Sequence, residues 1–177
     1  KISTIKSNAF DNVSVAAQLS DDQSVDARIT YVVSNKVVAA LGTRLKTLMD
    51  GLVPDNASMT YQDGDSSRTY TISFESATLQ NYITNVNKAL HTNNTVFEVS
   101  TEGDTESLSA KKSIKQYYDG SYFLDFTAEG TTMSYILDVS PEYTVESCSS
   151  TYGYLKDESS TYSSDTCEIT MTVASAD

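Results

Sequence analysis

Tryptophan is absent from this 177-residue chain, histidine occurs once, and proline and cysteine occur twice each. Positive charge is scarce as well: 12 Lys and Arg stand against 24 Asp and Glu, a formal net charge of −12. Nucleic-acid binders draw their affinity from Lys and Arg neutralising phosphates, so this balance excludes that class. It equally argues against a polybasic membrane-surface domain. No window approaches the roughly 18 consecutive apolar residues that span a bilayer. The sequences GxSxG, HExxH, GxGxxG and the P-loop are all missing, and with them the usual hardware of hydrolase, zinc-protease and nucleotide chemistry. A histidine-based triad or zinc site would have to be built on His91, which closes a helical pattern where an imidazole simply suits the helix dipole.

What is present is an acidic, hydroxyl-rich composition. Serine and threonine together number 48, over a quarter of the chain, and 39 % of residues are apolar. That is enough to bury one core at this length, so a soluble globular protein is expected. The opening KISTIKSNAF has neither an initiator Met nor an apolar signal core, and reads as a mature or excised ectodomain whose targeting segment has been removed.

The first hundred residues carry clear periodicity. Val13, Val15, Ala17 and Leu19 alternate, a polar turn Asp21-Asp22-Gln23 follows, and Val25, Ala27, Ile29, Tyr31 and Val33 alternate again, which predicts a β-hairpin. Ser34 fits a helix N-cap. Val37, Val38, Leu41, Leu45, Leu48, Met49 and Leu52 follow at helical spacing, with Gly51 and Pro54 as the stop. A second hairpin is expected around Asp63-Gly64-Asp65, between Met59 and Tyr61 on one side and Tyr70, Ile72 and Phe74 on the other. Ser76 or Thr78 then caps a helix whose apolar stripe is Leu79, Tyr82, Ile83, Val86 and Leu90, and a short strand over 96–99 closes the unit. The order ββαββαβ predicts an α+β fold, an antiparallel sheet with two amphipathic helices on one face.

From Thr101 the character changes. Residues 101–177 hold 14 of the acids, 4 lysines and eight of the twelve tyrosines. Strand-like runs separated by Asp119-Gly120 and Glu129-Gly130 predict an all-β continuation, either an extension of the first sheet or a small second domain. The expected division is therefore 1–100 and 101–177. Cys148 and Cys167 lie in strand-like runs on either side of one loop. A disulfide between them would close that loop and stabilise by roughly 3 kcal/mol, placing the protein outside the cytoplasm; two free thiols in a cytosolic protein are the alternative.

Candidate sites are few. Asp119, Asp125, Glu129 and Asp138 are the acids from which a glycoside-hydrolase pair would have to come, although in alternating strands they fit solvent-facing positions better. The turns Asp63-Gly64-Asp65 and Glu102-Gly103-Asp104 offer oxygen ligands, but neither continues into an EF-hand loop, and Asp-Gly suits turns for backbone reasons alone. Sequons begin at Asn12, Asn56 and Asn93. The most unusual feature is tyrosine: Tyr117, Tyr118 and Tyr122 flank one turn, and Tyr152, Tyr154 and Tyr162 lie between the cysteines. Tyrosine offers large contact area and a polar tip at low ordering cost, so these six residues are the candidate contact surface, with ordinary strand filling as the competing explanation. No catalytic residue, cofactor or metal is expected.

The hairpin VSVAAQLSDDQSVDARITYVVS, the helix it feeds, and TYTISFESATLQNYITNVNKAL, a strand running through F-x-S into a helix, resemble the extracytoplasmic part of LppM-type bacterial cell-envelope proteins, which are often lipoproteins. The resemblance covers roughly residues 10–100; the acidic, cysteine-bearing tail departs from it. It implies a surface-anchored domain without catalytic residues, contacting lipids or glycolipids. Residues and resemblance together point to a non-enzymatic ectodomain of a bacterial surface or secreted protein, tethered by a removed segment or free. Its partner would be a protein, glycan or lipid of the envelope or a host surface. The alternatives are a carrier holding an apolar ligand between helices and sheet, and a glycan-active enzyme with an acid pair.

Overall fold

Alternation in the first forty residues decides the centre of the molecule. In the computed structural model, which describes residues 10–91, 97–102, 105–110, 132–139, 144–147, 153–156, 161–164 and 169–174, β1 (Phe10–Leu19) and β2 (Val25–Ser34) pair antiparallel from Phe10↔Val33 to Leu19↔Val25. Val13, Val15, Ala17 and Leu19 are buried on one face with Val25, Ala27, Ile29, Tyr31 and Val33, as period two requires. The Asp22 carboxylate closes the turn by accepting from the Ser24 N–H at 3.0 Å and the Ser24 hydroxyl at 2.6 Å. Gln23 takes the left-handed conformation beside it, at φ 69°.

The second hairpin follows the same logic. β3 (Ser58–Asp63) pairs with β4 (Ser67–Ser76) across the Asp-Gly turn, and β4 pairs with β2 over ten residues. Asn35 donates from Nδ2 to the carbonyls of Gly64 and Asp65, 3.2 Å each, tying this turn to the first helix.

The helical pattern after Ser34 is divided in two. Helix α1 (Asn35–Leu41) starts where Ser34 accepts from the Val37 N–H, and α2 (Thr43–Asp50) follows after one residue. The divider is Gly42, at φ 54° and ψ −130°, a conformation that side-chain-bearing residues rarely adopt. Apolar spacing passes straight through it, since Leu41 and Leu45 are both buried, and the break is invisible to periodicity. Helix α3 (Leu79–Leu90) is capped by Thr78, which accepts from Asn81 N–H at 3.1 Å. Ser76, the other candidate cap, is buried at the end of β4 and accepts from Asn85 Nδ2. His91 ends α3 in the left-handed conformation, its N–H directed to Asn87 and Lys88 carbonyls.

Both expected helical segments lie on one face of the sheet, so the chain has the expected α+β class. Leu41, Leu45, Met49 and Leu52 share a single core with Leu79, Tyr82, Ile83, Val86 and Leu90 over the inner faces of β1, β2 and β4. Tyr31, 1 % exposed, spans the layers: its hydroxyl donates to the Ala89 carbonyl in the last turn of α3, and its ring lies 4.8 Å from that of Phe10.

Beyond α3 the described elements are strands. β7 (Thr132–Val139) adds parallel to β1, and β9 (Gly153–Lys156) and β10 (Thr161–Ser164) continue outward, giving a mixed sheet in the order β10-β9-β7-β1-β2-β4-β3. β5 (Phe97–Glu102), β6 (Thr105–Ala110), β11 (Ile169–Ala174) and β8 (Thr144–Ser147) form a separate antiparallel sheet in that order. Strands from the acidic tail thus enter both sheets.

Candidate functional site

The face of the large sheet turned away from the helices carries an open trough of about 710 Å³. Its lining follows from strand alternation, because residues between the buried positions point outward. One register row sets Ala16 opposite Arg28, Arg28 opposite Ser73, and Ser73 opposite Ser58. The next sets Asp138 beside Gln18, Gln18 opposite Asp26, and Asp26 opposite Glu75. The small side chains of Ala16, Ser58 and Ser73 leave the hollow; Gln18, Asp26, Arg28 and Glu75 rise around it, and Asn56 and Ala57 close the β3 side. No helix residue lines it, whereas among the described residues the space between helices and sheet is filled by a continuous apolar core with Val38, Leu48, Ala57 and Met59 packed at its margin.

Chemically the trough offers three carboxylates, one guanidinium, two amides and two hydroxyls. These are groups that bind by hydrogen bonding and charge. Arg28 is exposed and forms no ion pair among the described residues. Nor do the described residues contain a group of three or more His, Cys, Asp or Glu placed to hold a metal ion. Truncating Arg28 to alanine is expected to change stability by less than about 0.5 kcal/mol in urea melts, as for a surface residue without structural partners. A loss above 2 kcal/mol would reassign Arg28 to the framework.

A second cluster sits at the β3 edge of the sheet. Arg68 donates from Nε to Asp63 Oδ1 at 2.6 Å and from a terminal nitrogen to Asp63 Oδ2 at 3.3 Å. Its other terminal nitrogen donates to the Tyr70 hydroxyl at 3.2 Å, and the guanidinium lies 4.2 Å from the centroid of the Tyr61 ring. The Arg68 hydrogen bond holds the Asp63 carboxyl below the usual carboxylate range, and the bonds from Ser24 do the same for Asp22. A folded-state pKa below the unfolded value of about 3.9 means that stabilisation is present above that pH and lost as pH falls through the depressed pKa. In Arg68→Ala the Asp63 titration midpoint, followed by carboxyl NMR shifts, should rise towards the ordinary value while that of Asp22 stays put. An unmoved Asp63 would show that the pair does not persist in solution.

The residues singled out from sequence fall unevenly on this geometry. Tyr154 lies in β9 at the register of Ile136 and Ser163, and Tyr162 lies in β10 opposite Leu155. Both strands continue the sheet that carries the trough, since Gln18, Asp138 and Lys156 share one row across β1, β7 and β9. Tyr117, Tyr118, Tyr122, Tyr152, Cys148, Cys167, Asp119, Asp125, Glu129 and Asn93 lie outside the described residues. Of the four candidate acids, Asp138 is placed, on the trough wall. Asn12 lies within β1, and Asn56 sits exposed at φ 63° on the trough rim. Arg28, Gln18 and Glu75 escaped notice because, read singly, each is an ordinary outward residue of an alternating strand. Arg68 had a readable signal, an Arg placed across an Asp-Gly turn from an Asp.

No protein-family model and no curated protein matches the chain. Among solved structures it is similar to the folded domain of Mycobacterium tuberculosis LppM, determined by NMR, with a TM-score of 0.55 and 13 % sequence identity over 94 % of this chain and 90 % of that one. At that identity the likeness is one of fold, and at the level of fold the resemblance drawn from the hairpin and the F-x-S strand holds.

Proposed function

We propose that this chain is a non-enzymatic, extracytoplasmic domain of a bacterial surface or secreted protein of the cell-envelope lipoprotein kind, acting by binding. The observation that carries the reading is the near end-to-end likeness to the LppM folded domain, 94 % of one chain on 90 % of the other. The acidic composition and the open trough of polar and charged side chains support it. The binding surface is the outward face of the large sheet, from the trough at Gln18, Arg28 and Glu75 towards Tyr154 of β9, which shares that face by register with Lys156, Asp138 and Gln18; Tyr162, opposite Leu155, falls on the other face. Its partner is a protein, glycan or lipid of the envelope or a host surface. Cys148 and Cys167 form a disulfide in this setting.

The test is exposure in living cells. Lys36, Lys46 and Lys88 are exposed and should react with a membrane-impermeant amine reagent in intact cells of the native host. Protein recovered from those cells should contain no free thiol under denaturing, non-reducing conditions. Labelling only after lysis, together with two free thiols, would place the chain in the cytosol and end the proposal.

A further inference from the structure

Strand β3 is an end of the large sheet, with β4 on one side and no strand on the other among the described residues. Proteins usually blunt such an edge with Lys, Pro, a bulge or a covering loop. Among the described residues β3 has none of these: Ser-Met-Thr-Tyr-Gln-Asp pairs with β4 over six consecutive positions without a register shift. Its free side is also in the bonding phase that a further strand needs. Gly64 N–H donates to the Ser67 carbonyl at 2.8 Å. In an antiparallel ladder, pairs that exchange hydrogen bonds alternate with pairs that do not. Stepping back from the turn, Gln62, Thr60 and Ser58 bond to β4, and the N–H and C=O groups of Met59, Tyr61 and Asp63 point outward.

The side chains on this edge form a pattern that reads alike in both directions. About Thr60 the order is polar, apolar, polar, apolar, polar: Ser58, Met59, Thr60, Tyr61, Gln62. Met59 and Tyr61 lie on the helix-covered face, opposite the buried Ile72 and Tyr70. Tyr61 is 57 % exposed and held by Arg68, which stacks on its ring. The one charge of the strand, Asp63, is already neutralised by the same Arg68.

We propose that β3 pairs with β3 of a second copy of this chain, antiparallel about a two-fold axis at Thr60, joining two large sheets into one. Thr60 then faces Thr60 of the other copy, and Met59 and Tyr61 face each other twice. These are the residues whose backbone groups point outward, so each such pair exchanges both of its hydrogen bonds across the junction. The exposed Tyr61 ring is covered by Met59, and no two like charges within the strand stand opposite each other. A two-fold interface needs a patch complementary to itself, and this strand supplies one. An edge of six residues is smaller than a standard interface, so the dimer is weak. At a net charge of −12 per chain, added salt strengthens it by screening.

The test is sedimentation equilibrium of the full chain from about 10 µM to about 1 mM, a range suited to weak association. Wild type should dimerise within it, more readily at high salt. Thr60→Lys and Thr60→Glu alter an exposed side chain and set like charges face to face on the axis, so each alone should weaken the dimer by about fivefold or more. An equimolar mixture of the two should recover association, as a heterodimer. A wild type that stays monomeric overturns the proposal, including the case in which β3 takes a strand from a different protein. Unaffected single variants, or a mixture that fails to recover, overturn it equally.

Discussion

Tyr31→Ala is expected to lower the free energy of unfolding by about 3–5 kcal/mol, the range for deleting a fully buried aromatic side chain. Two separate terms contribute. The ring occupies the middle of the core between β2 and α3 and lies against Phe10. The hydroxyl donates to the Ala89 carbonyl, one of the last-turn carbonyls that a helix cannot satisfy itself. Tyr31→Phe separates them: it keeps the ring, leaves a buried carbonyl short of its donor, and should cost about 1–2 kcal/mol. Urea unfolding of both variants measures the split. A phenylalanine variant as unstable as the alanine one would mean that the hydroxyl, and not the ring, holds α3 to the sheet; a neutral one would mean that water replaces it.

Gly42→Ala should cost about 1–3 kcal/mol, the strain of placing a β-carbon residue at a positive φ that only glycine occupies freely. Space is not the cause, because a β-carbon built at Gly42 meets nothing within 4 Å. The loss is therefore purely conformational. Gly51 is a useful contrast: it follows α2 at φ −66°, within reach of any residue, so Gly51→Ala should be much cheaper. If the two substitutions cost the same in thermal melts, the division between α1 and α2 is not what Gly42 is for.

These two residues also mark how much was readable beforehand. Tyr31 declares itself a core residue through the alternation from Val25 to Val33, and Ser76 and Thr78 stand out as cap candidates by preceding an apolar helical stripe, of which the structure selects Thr78. Such signals are local: a period, a cap, a turn. Gly42 stands inside an equally good period, and nothing in the spacing of Leu41 and Leu45 says that the backbone turns there. The trough is hidden for a related reason. Gln18, Arg28 and Glu75 are far apart in sequence, and only the registers of β1, β2 and β4 bring them together.

By itself, then, the chain's order of residues settles its α+β class, the two hairpins, a helix start at Ser34 and another at Ser76 or Thr78, and the face that β1, β2 and β4 turn to the core. Each of these depends on residues within a few positions of one another, where backbone geometry and solvent exposure leave one answer. Which strands lie side by side is a different kind of fact. That β7 runs parallel to β1, and that β3 is left at an edge with Tyr61 in water, depends on contacts between distant segments, whose loop-closure cost and packing gain are shared by the whole assembly. Only the folded chain decides them.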